Sequence, residues 1–449
     1  MVAQLTALVI FIAVFAAGSI RKGHIGVLSL AAACGVGLSL ASMSLKDIIG
    51  GFPVGIMILL AGVTFFFGIA QANGTIDQLI DRSIAKVGDR AALFPILFFA
   101  LSCGVAAMGS SLAALALAPI AMPLAKKYMI DPMLMGLAIG TGLTAGAFAP
   151  TSLFGIISYG TAREAGIDLN PLVLFTVAIV TNLVLLVAAF LMFGGTRLPR
   201  SQRTQTPHDI ETSGYSSPLQ ENRPSSPGTV ATSVDAPVDT KTKAARLTTA
   251  QIATITCIAG LLISLIWLAL TGGNPDVGIL CFAFGAVLTL LDPATSKTAI
   301  TKIDWPTILL VGGVITYVGV LEHMGAIELI GHFAEAAGTP LLSAFALCVA
   351  AGLISAFAST TGMLAAIIPL SLPLVATGGI PGWAIITALA ICSALVDLSP
   401  YSTVGATVIA TAPESERARM TSRLMRWGMS MVIIGPVALV GLLVLPGTL

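Results

Sequence analysis

Charge is the scarce commodity in this chain. Only 10% of its 449 residues are Asp, Glu, Lys or Arg, against roughly 25% in an average soluble domain. That deficit excludes an ordinary soluble globule. A net charge of +1 leaves no stripe of Lys and Arg to follow a phosphate backbone, so no nucleic-acid partner is expected. Loop cysteines are lacking as well: Cys34, Cys103, Cys257, Cys281, Cys348 and Cys392 all fall inside apolar segments, as small buried hydrophobes do. No disulfide framework or metal cluster is expected from them. No histidine falls in a predicted span, and no catalytic dyad or metal-ligand spacing is visible, which weakens an intramembrane enzyme reading. His323, His332 and Glu335 sit on a polar face where solvation is expected. Without a folded soluble domain, a receptor or scaffold is weaker still.

What fills the chain instead is apolar sequence in long runs: Ala3 to Ile20, Ile25 to Met43, Pro53 to Ala72, Leu172 to Phe193, Thr249 to Leu270, Val277 to Leu291 and Trp427 to Leu445. Most approach the ~20 residues that cross a bilayer. The first run lacks a preceding positive region and is followed by Arg21 and Lys22, so it reads as a retained helix with its N-terminus outside. Ten spans plus one apolar hairpin in each half then put 20 of the 22 basic residues on the inside, with only Lys46 and Arg163 outside. By the positive-inside rule the protein is a multi-pass inner (plasma) membrane protein with both termini outside. Residues 196–247, rich in Ser, Thr, Pro and charge, read as a disordered cytoplasmic linker between membrane halves at 1–195 and 248–449.

Those halves are related. Gly109-Ser110-Ser111, with Pro119 and Pro123 behind it, matches Ser359-Thr360-Thr361, with Pro369 and Pro373 behind it, at a constant offset. The same offset superposes Pro150 on Pro400, Ser152 on Ser402 and Gly155 on Gly405. Five crossings per half is an odd number, so the fold class expected is an all-α integral membrane protein of two inverted-topology repeats, about ten transmembrane helices and two re-entrant hairpins. Inverted repeats with interrupted helices are typical of secondary transporters. Ile76, Leu79, Ile80, Ile84 and Val87 recur with a helical period beside Asp77, Asp81 and Lys86, which predicts an amphipathic helix along the membrane surface.

Two kinds of interruption carry the candidate chemistry. One is the hairpin tip, at Gly109, Ser110 and Ser111 and at Ser359, Thr360 and Thr361; the other is a broken helix, at Gly146 to Ser152 and Asp397 to Thr403. Proline frees a carbonyl, neighbouring hydroxyls add oxygen ligands, and half-helix N-termini suit a carboxylate. Ser110, Ser111, Thr151, Ser152, Thr360, Thr361, Ser402 and Thr403 are therefore candidate substrate contacts. Gly109, Ser110, Gly146, Pro150, Ser359, Thr360, Asp397 and Ser399 are candidate cation ligands. Against this stands the plainer reading, in which small polar residues let helices approach and prolines only kink them. Asp397 is the one acid well inside a predicted span, where an acid costs about 2.5–3.5 kcal/mol, and it aligns with the neutral Ala147. Cation ligand, proton carrier and helix cap all remain open for it. No basic residue lies in any span, which argues for a co-bound cation wherever an anion binds.

The tips, each ten residues before a proline, resemble the divalent anion:sodium symporter family of the ion transporter superfamily, whose signature there is Ser-Asn-Thr. Neither tip carries the asparagine. Gly109 to Gly160 is more closely similar to the MatC-type dicarboxylate carriers associated with malonate. The resemblance implies a homodimer in membrane lipid, moving small dicarboxylates by an elevator-like motion with sodium, or a proton, as coupling ion and no other cofactor. An inorganic-ion or proton-coupled exchanger of the same superfamily is the alternative, with Asp397 central to it.

Overall fold

Away from water, backbone N–H and C=O groups must be bonded within the protein, so apolar runs fold as helices. The computed structural model describes residues 2–21, 23–87, 91–109, 113–193, 247–270, 276–326, 339–356, 360–376 and 380–447, and among them the regular elements are helical. In the first half they are α1 (Val2–Arg21), α2 (Ile25–Ser39), α3 (Leu45–Gly50), α4 (Val54–Ala72), α5 (Thr75–Val87), α6 (Phe94–Ala107), α7 (Ala113–Lys127), α8 (Pro132–Ala147), α9 (Leu153–Glu164) and α10 (Pro171–Phe193). The second half holds α11 (Thr249–Leu270), α12 (Val277–Leu291), α13 (Pro293–Ile300), α14 (Trp305–His323), α15 (Pro340–Ser355), α16 (Thr360–Leu370), α17 (Leu372–Ala376), α18 (Gly382–Leu395), α19 (Thr403–Thr411) and α20 (Glu414–Leu439). Among the described residues five helical segments are long and apolar enough to cross a membrane, and eight shorter apolar helices accompany them. The last apolar run, expected from Trp427, belongs to a helix that starts at Glu414, because two acids in its first turn suit the helix N-terminus.

Four of the scarce acids cap helices. Asp131, Asp276, Asp292 and Asp304 accept the N–H of Met133, Ile279, Thr295 and Thr307 at 2.8, 3.1, 3.2 and 3.1 Å. Each such cap is worth about 0.5–2 kcal/mol. Two of them precede a proline at the first helical position, where its missing N–H costs nothing. Bonds from the Thr295 side chain and backbone hold the Asp292 carboxyl below its ordinary range.

Met1–Leu198 and Leu247–Leu449 fold as one compact unit. Within it α2 lies along α14, and α4 lies along α12 and against α13. A second set of helices packs α6 and α10 on α8, α15 and α20 on α18, α16 on α9, and α7 on α19. The sets meet along α4 and α9 and along α14 and α16. Glycine permits the closest approaches: a Cβ on Gly26 would strike the Leu309 carbonyl, and one on Gly142 or Gly146 would strike the carbonyl of Phe99 or Cys103.

Contacts also sort the chain into two ends. At one, Asn73 Nδ2 donates to Thr254 at 2.7 Å and Gln251 Nε2 to the Asn73 carbonyl at 3.0 Å, closing the far end of α4 against the start of α11. At the other, Gln4 donates to the Met324 carbonyl at 2.8 Å, and Ile56 packs beside Gly160. Phe94 and Tyr128, with ring centroids 4.7 Å apart, bring the start of α6 to the end of α7. This pair therefore enters and leaves at one end, as a re-entrant hairpin does. The same end receives α5, which leaves α4 and leads to α6; Ile76 and Ile80 are buried on it while Asp77 and Asp81 are exposed, as the sequence predicts. Arg21, Arg82, Lys126, Lys127, Lys297, Lys302, Arg417, Arg419, Arg423 and Arg426 gather at this end, with Lys46 and Arg163 at the other. Lys22, Arg90, Glu328, His332, Glu335 and the linker lie outside the described residues.

Gly142→Ala should lower thermal stability in detergent by about 1–3 kcal/mol, because its Cβ meets backbone that cannot give way. Gly104→Ala, whose Cβ meets open space, should leave the melting temperature unchanged or raise it.

Candidate functional site

In the first half α8 stops at Ala147, three residues before Pro150, which has no N–H to continue a helix. Two tight turns follow, Ala149 N–H to the Gly146 carbonyl at 3.0 Å and Ser152 N–H to the Ala149 carbonyl at 2.9 Å, before α9 begins. Hydroxyls pin this break to the end of α6. Thr151 Oγ1 donates to the Ala107 carbonyl at 2.5 Å and Ser152 Oγ to that of Ala106 at 2.7 Å. Tyr159 donates to the Pro150 carbonyl at 3.1 Å, and about two helix turns before the tip Ser102 donates to that of Ile139 at 2.8 Å. Gly109 leaves α6 with φ +78°, a left-handed turn suited to glycine, and a Cβ there would lie 3.4 Å from the Thr151 carbonyl. Tip and break are thus neighbours, and Thr151 and Ser152 are buried.

The second half repeats the plan with different chemistry. After α18 a 3₁₀ turn, Val396–Leu398, carries Asp397, and Ser402 caps α19 by accepting the Gly405 N–H at 3.0 Å. The Asp397 carboxylate is half-buried and accepts a hydrogen bond from the Thr360 hydroxyl at the start of α16. Thr360 in turn lies 2.9 Å from the Ser355 hydroxyl. Ser402 lies against the Asp397 and Ser399 carbonyls, and Ser399 donates to the Ala356 carbonyl at 3.3 Å. Leu398 covers Gly140 of α8, so the second break packs on the first broken helix. Thr361 is half-buried and Thr403 is exposed.

Five of the eight candidate substrate residues and six of the eight candidate cation ligands therefore sit at two tip-and-break junctions; Ser110, Ser111 and Ser359 lie outside the described residues, and Thr403 is exposed at the start of α19. The expected freed carbonyls are partly spoken for: that of Gly146 accepts Ala149 and that of Pro150 accepts Tyr159. Ser102, Tyr159 and Ser355 escape the sequence reading. At the repeat offset they face Gly352, Ile409 and Val105, so a search for residues shared between halves passes over them. Chemically, the two junctions offer different things. The first is a hydroxyl-pinned turn ahead of the α9 N-terminus, which suits an anionic oxygen. The second adds a carboxylate and two linked hydroxyls, an all-oxygen set that suits a hard cation. Among the described residues no group of three His, Cys, Asp or Glu side chains converges to hold a metal ion.

Ser152→Ala removes one of two bonds to the Ala106 carbonyl, which still accepts the Gly109 N–H at 2.9 Å, and should cost about 0.5–1.5 kcal/mol of stability in a thermal melt. Asp397→Asn keeps an acceptor for Thr360 and should melt close to the parent protein.

No curated protein matches the chain. The matched family model, described as dicarboxylate carrier protein MatC N-terminus, spans residues 1–147, ending on the last residue of α8. Over that stretch, from α1 to the edge of the first break, the chain is similar to the N-terminus of the dicarboxylate carrier protein MatC.

Proposed function

We propose that the protein is a secondary active transporter of small dicarboxylates, of the malonate and C4-dicarboxylate class, coupled to sodium and working by alternating access. The observation that carries this reading is the dicarboxylate-carrier match over residues 1–147, which includes the described parts of the first hairpin and α8 up to its break. The geometry supports it in three ways. Helix N-termini at the breaks supply partial positive charge for carboxylates in a region free of basic side chains. Asp397, Thr360 and Ser355 supply oxygens for the coupling ion. The two sets of helices, meeting along α4 and α9 and along α14 and α16, suit an elevator-like motion of one set past the other.

On this reading α1, α2, α4, α8 with α9, and α10 are five spans, and α11, α12, α14, α18 with α19, and α20 are their inverted counterparts. The partnering of α2 with α14 and of α4 with α12 is what a two-fold axis relating the halves requires. The basic end faces the cytoplasm by the positive-inside rule, with both termini outside, in the inner membrane. A homodimer rests on the family resemblance. Proton coupling or inorganic-ion exchange is the second reading, and it is favoured by a single half-buried carboxylate with no basic partner among the described residues.

Counterflow of labelled malonate or succinate in proteoliposomes tests the proposal. Uptake should require sodium on the outside; uptake that follows a pH gradient instead supports the proton reading, and no counterflow of either acid ends the dicarboxylate assignment. Thr361→Ala should weaken substrate or sodium affinity about 5- to 150-fold, the equivalent of an unpaired partner costing 1–3 kcal/mol. Asp397→Asn should remove the sodium dependence. Ser29→Ala, at a buried hydroxyl without a hydrogen-bond partner, should change neither. Impermeant labelling of a single cysteine at Ser217 in intact cells should fail.

A further inference from the structure

Away from both junctions, at the basic end, lies a cavity of about 760 Å³. Its walls are the turn between α7 and α8, the last residues of α10 and the first turns of α20. Three basic side chains line it: Lys126, Arg419 and Arg423. Arg423 is held in place twice, its guanidinium 5.4 Å from the centre of the Phe193 ring and Nη1 3.2 Å from Asp131. A guanidinium has five N–H donors, so this pairing leaves donors for another acceptor. Arg419 makes only a long, solvent-exposed contact with Glu416 at 3.6 Å, and Lys126 has no acidic partner among the described residues. With Asp131 and Glu416 counted, the lining still carries a net charge of +1.

The opposite character lies on the same wall. Met129, Leu191 and Met192 are 79%, 70% and 65% exposed, and all three line the cavity. Such side chains are out of place beside water, whereas they are suited to hydrocarbon. The height also fits a bilayer surface: α10 ends its apolar run at Phe193, and along α20 the last arginine, Arg426, is followed at once by the buried Trp427. A soluble phosphate would use the basic side chains and leave the apolar wall bare. A lipid uses both.

We propose that this cavity binds an anionic phospholipid, the phosphate of its headgroup held by Lys126, Arg419 and Arg423 and its chains lying along Leu191 and Met192 of α10. The inference rests on the membrane-spanning reading above but not on the dicarboxylate one. Basic pockets between membrane helices on the cytoplasmic side suit such headgroups, with each Lys or Arg near the surface contributing about 5-fold in affinity.

Native mass spectrometry of the full-length protein in detergent, titrated with phosphatidylglycerol or phosphatidylcholine, tests it. Phosphatidylglycerol should be retained about tenfold better. Lys126→Gln with Arg419→Gln should weaken that retention about 30-fold, whereas Lys297→Gln, at the same end but outside the cavity, should leave it unchanged. Arg423 is left intact because it also braces Asp131. Equal retention of the two lipids, or an unaffected double variant, overturns the proposal. Displacement of the lipid by excess glycerol phosphate overturns it too, assigning the cavity to a soluble anion. Counterflow distinguishes this failure from the other: lost lipid selectivity with intact counterflow leaves the transporter reading standing, and the reverse leaves the lipid site standing.

Discussion

Every backbone group that a helix break releases in an apolar interior has to find a partner, and the arrangement around the two breaks follows from that requirement. An unbonded carbonyl or N–H there costs about as much as a single such fold can spare at one point, so a break is tolerated only beside groups that repair it. In the first half Thr151, Ser152 and Tyr159 make the repair, and the carbonyls that accept from Thr151 and Ser152 belong to the end of α6. The hairpin and the broken helix thereby hold one another, and neither position is set by hydrophobic burial alone. Close packing of α6 on α8 through Gly142 and Gly146 brings the donors within reach.

Equivalent carbonyls, Ala106 and Ala356, accept from the broken helix in both halves, yet from donors at different places along it: Ser152 in one and Ser399 in the other. That shift leaves Ser402 free to cap α19 and to lie against the Asp397 carbonyl. The carboxylate at 397, aligned with Ala147, then has Thr360 and Ser355 for company. A common plan for holding a break can thus carry neutral chemistry on one side and ionic chemistry on the other.

Charge is placed with matching economy. Four acids sit where N-terminal N–H groups would otherwise be unpaired, and the described bases collect mainly at the end where α5 lies. The Asp131 and Arg423 pair does both jobs, since Asp131 caps α8 while its second oxygen meets Arg423 across the two halves. Among the described residues the apolar stretch between the ends carries a charge at Asp397, which makes that residue's surroundings a point where electrostatics acts strongly.

The amino-acid sequence by itself determined the helices, the places where they break, the amphipathic α5 and the sorting of basic residues to one end. These depend on local pattern: runs of apolar residues, a 3.6-residue period, and the missing N–H of Pro150 and Pro400. What only the tertiary structure decided is which hydroxyl bonds to a carbonyl and which to a carboxylate. Ser152 and Thr360 look alike in sequence as small polar residues in apolar surroundings, yet one donates to a carbonyl 46 residues away and the other to a carboxylate 37 residues away. A hydrogen bond depends on distances of a few tenths of an ångström between segments far apart in the chain, and no local pattern of residues encodes those distances.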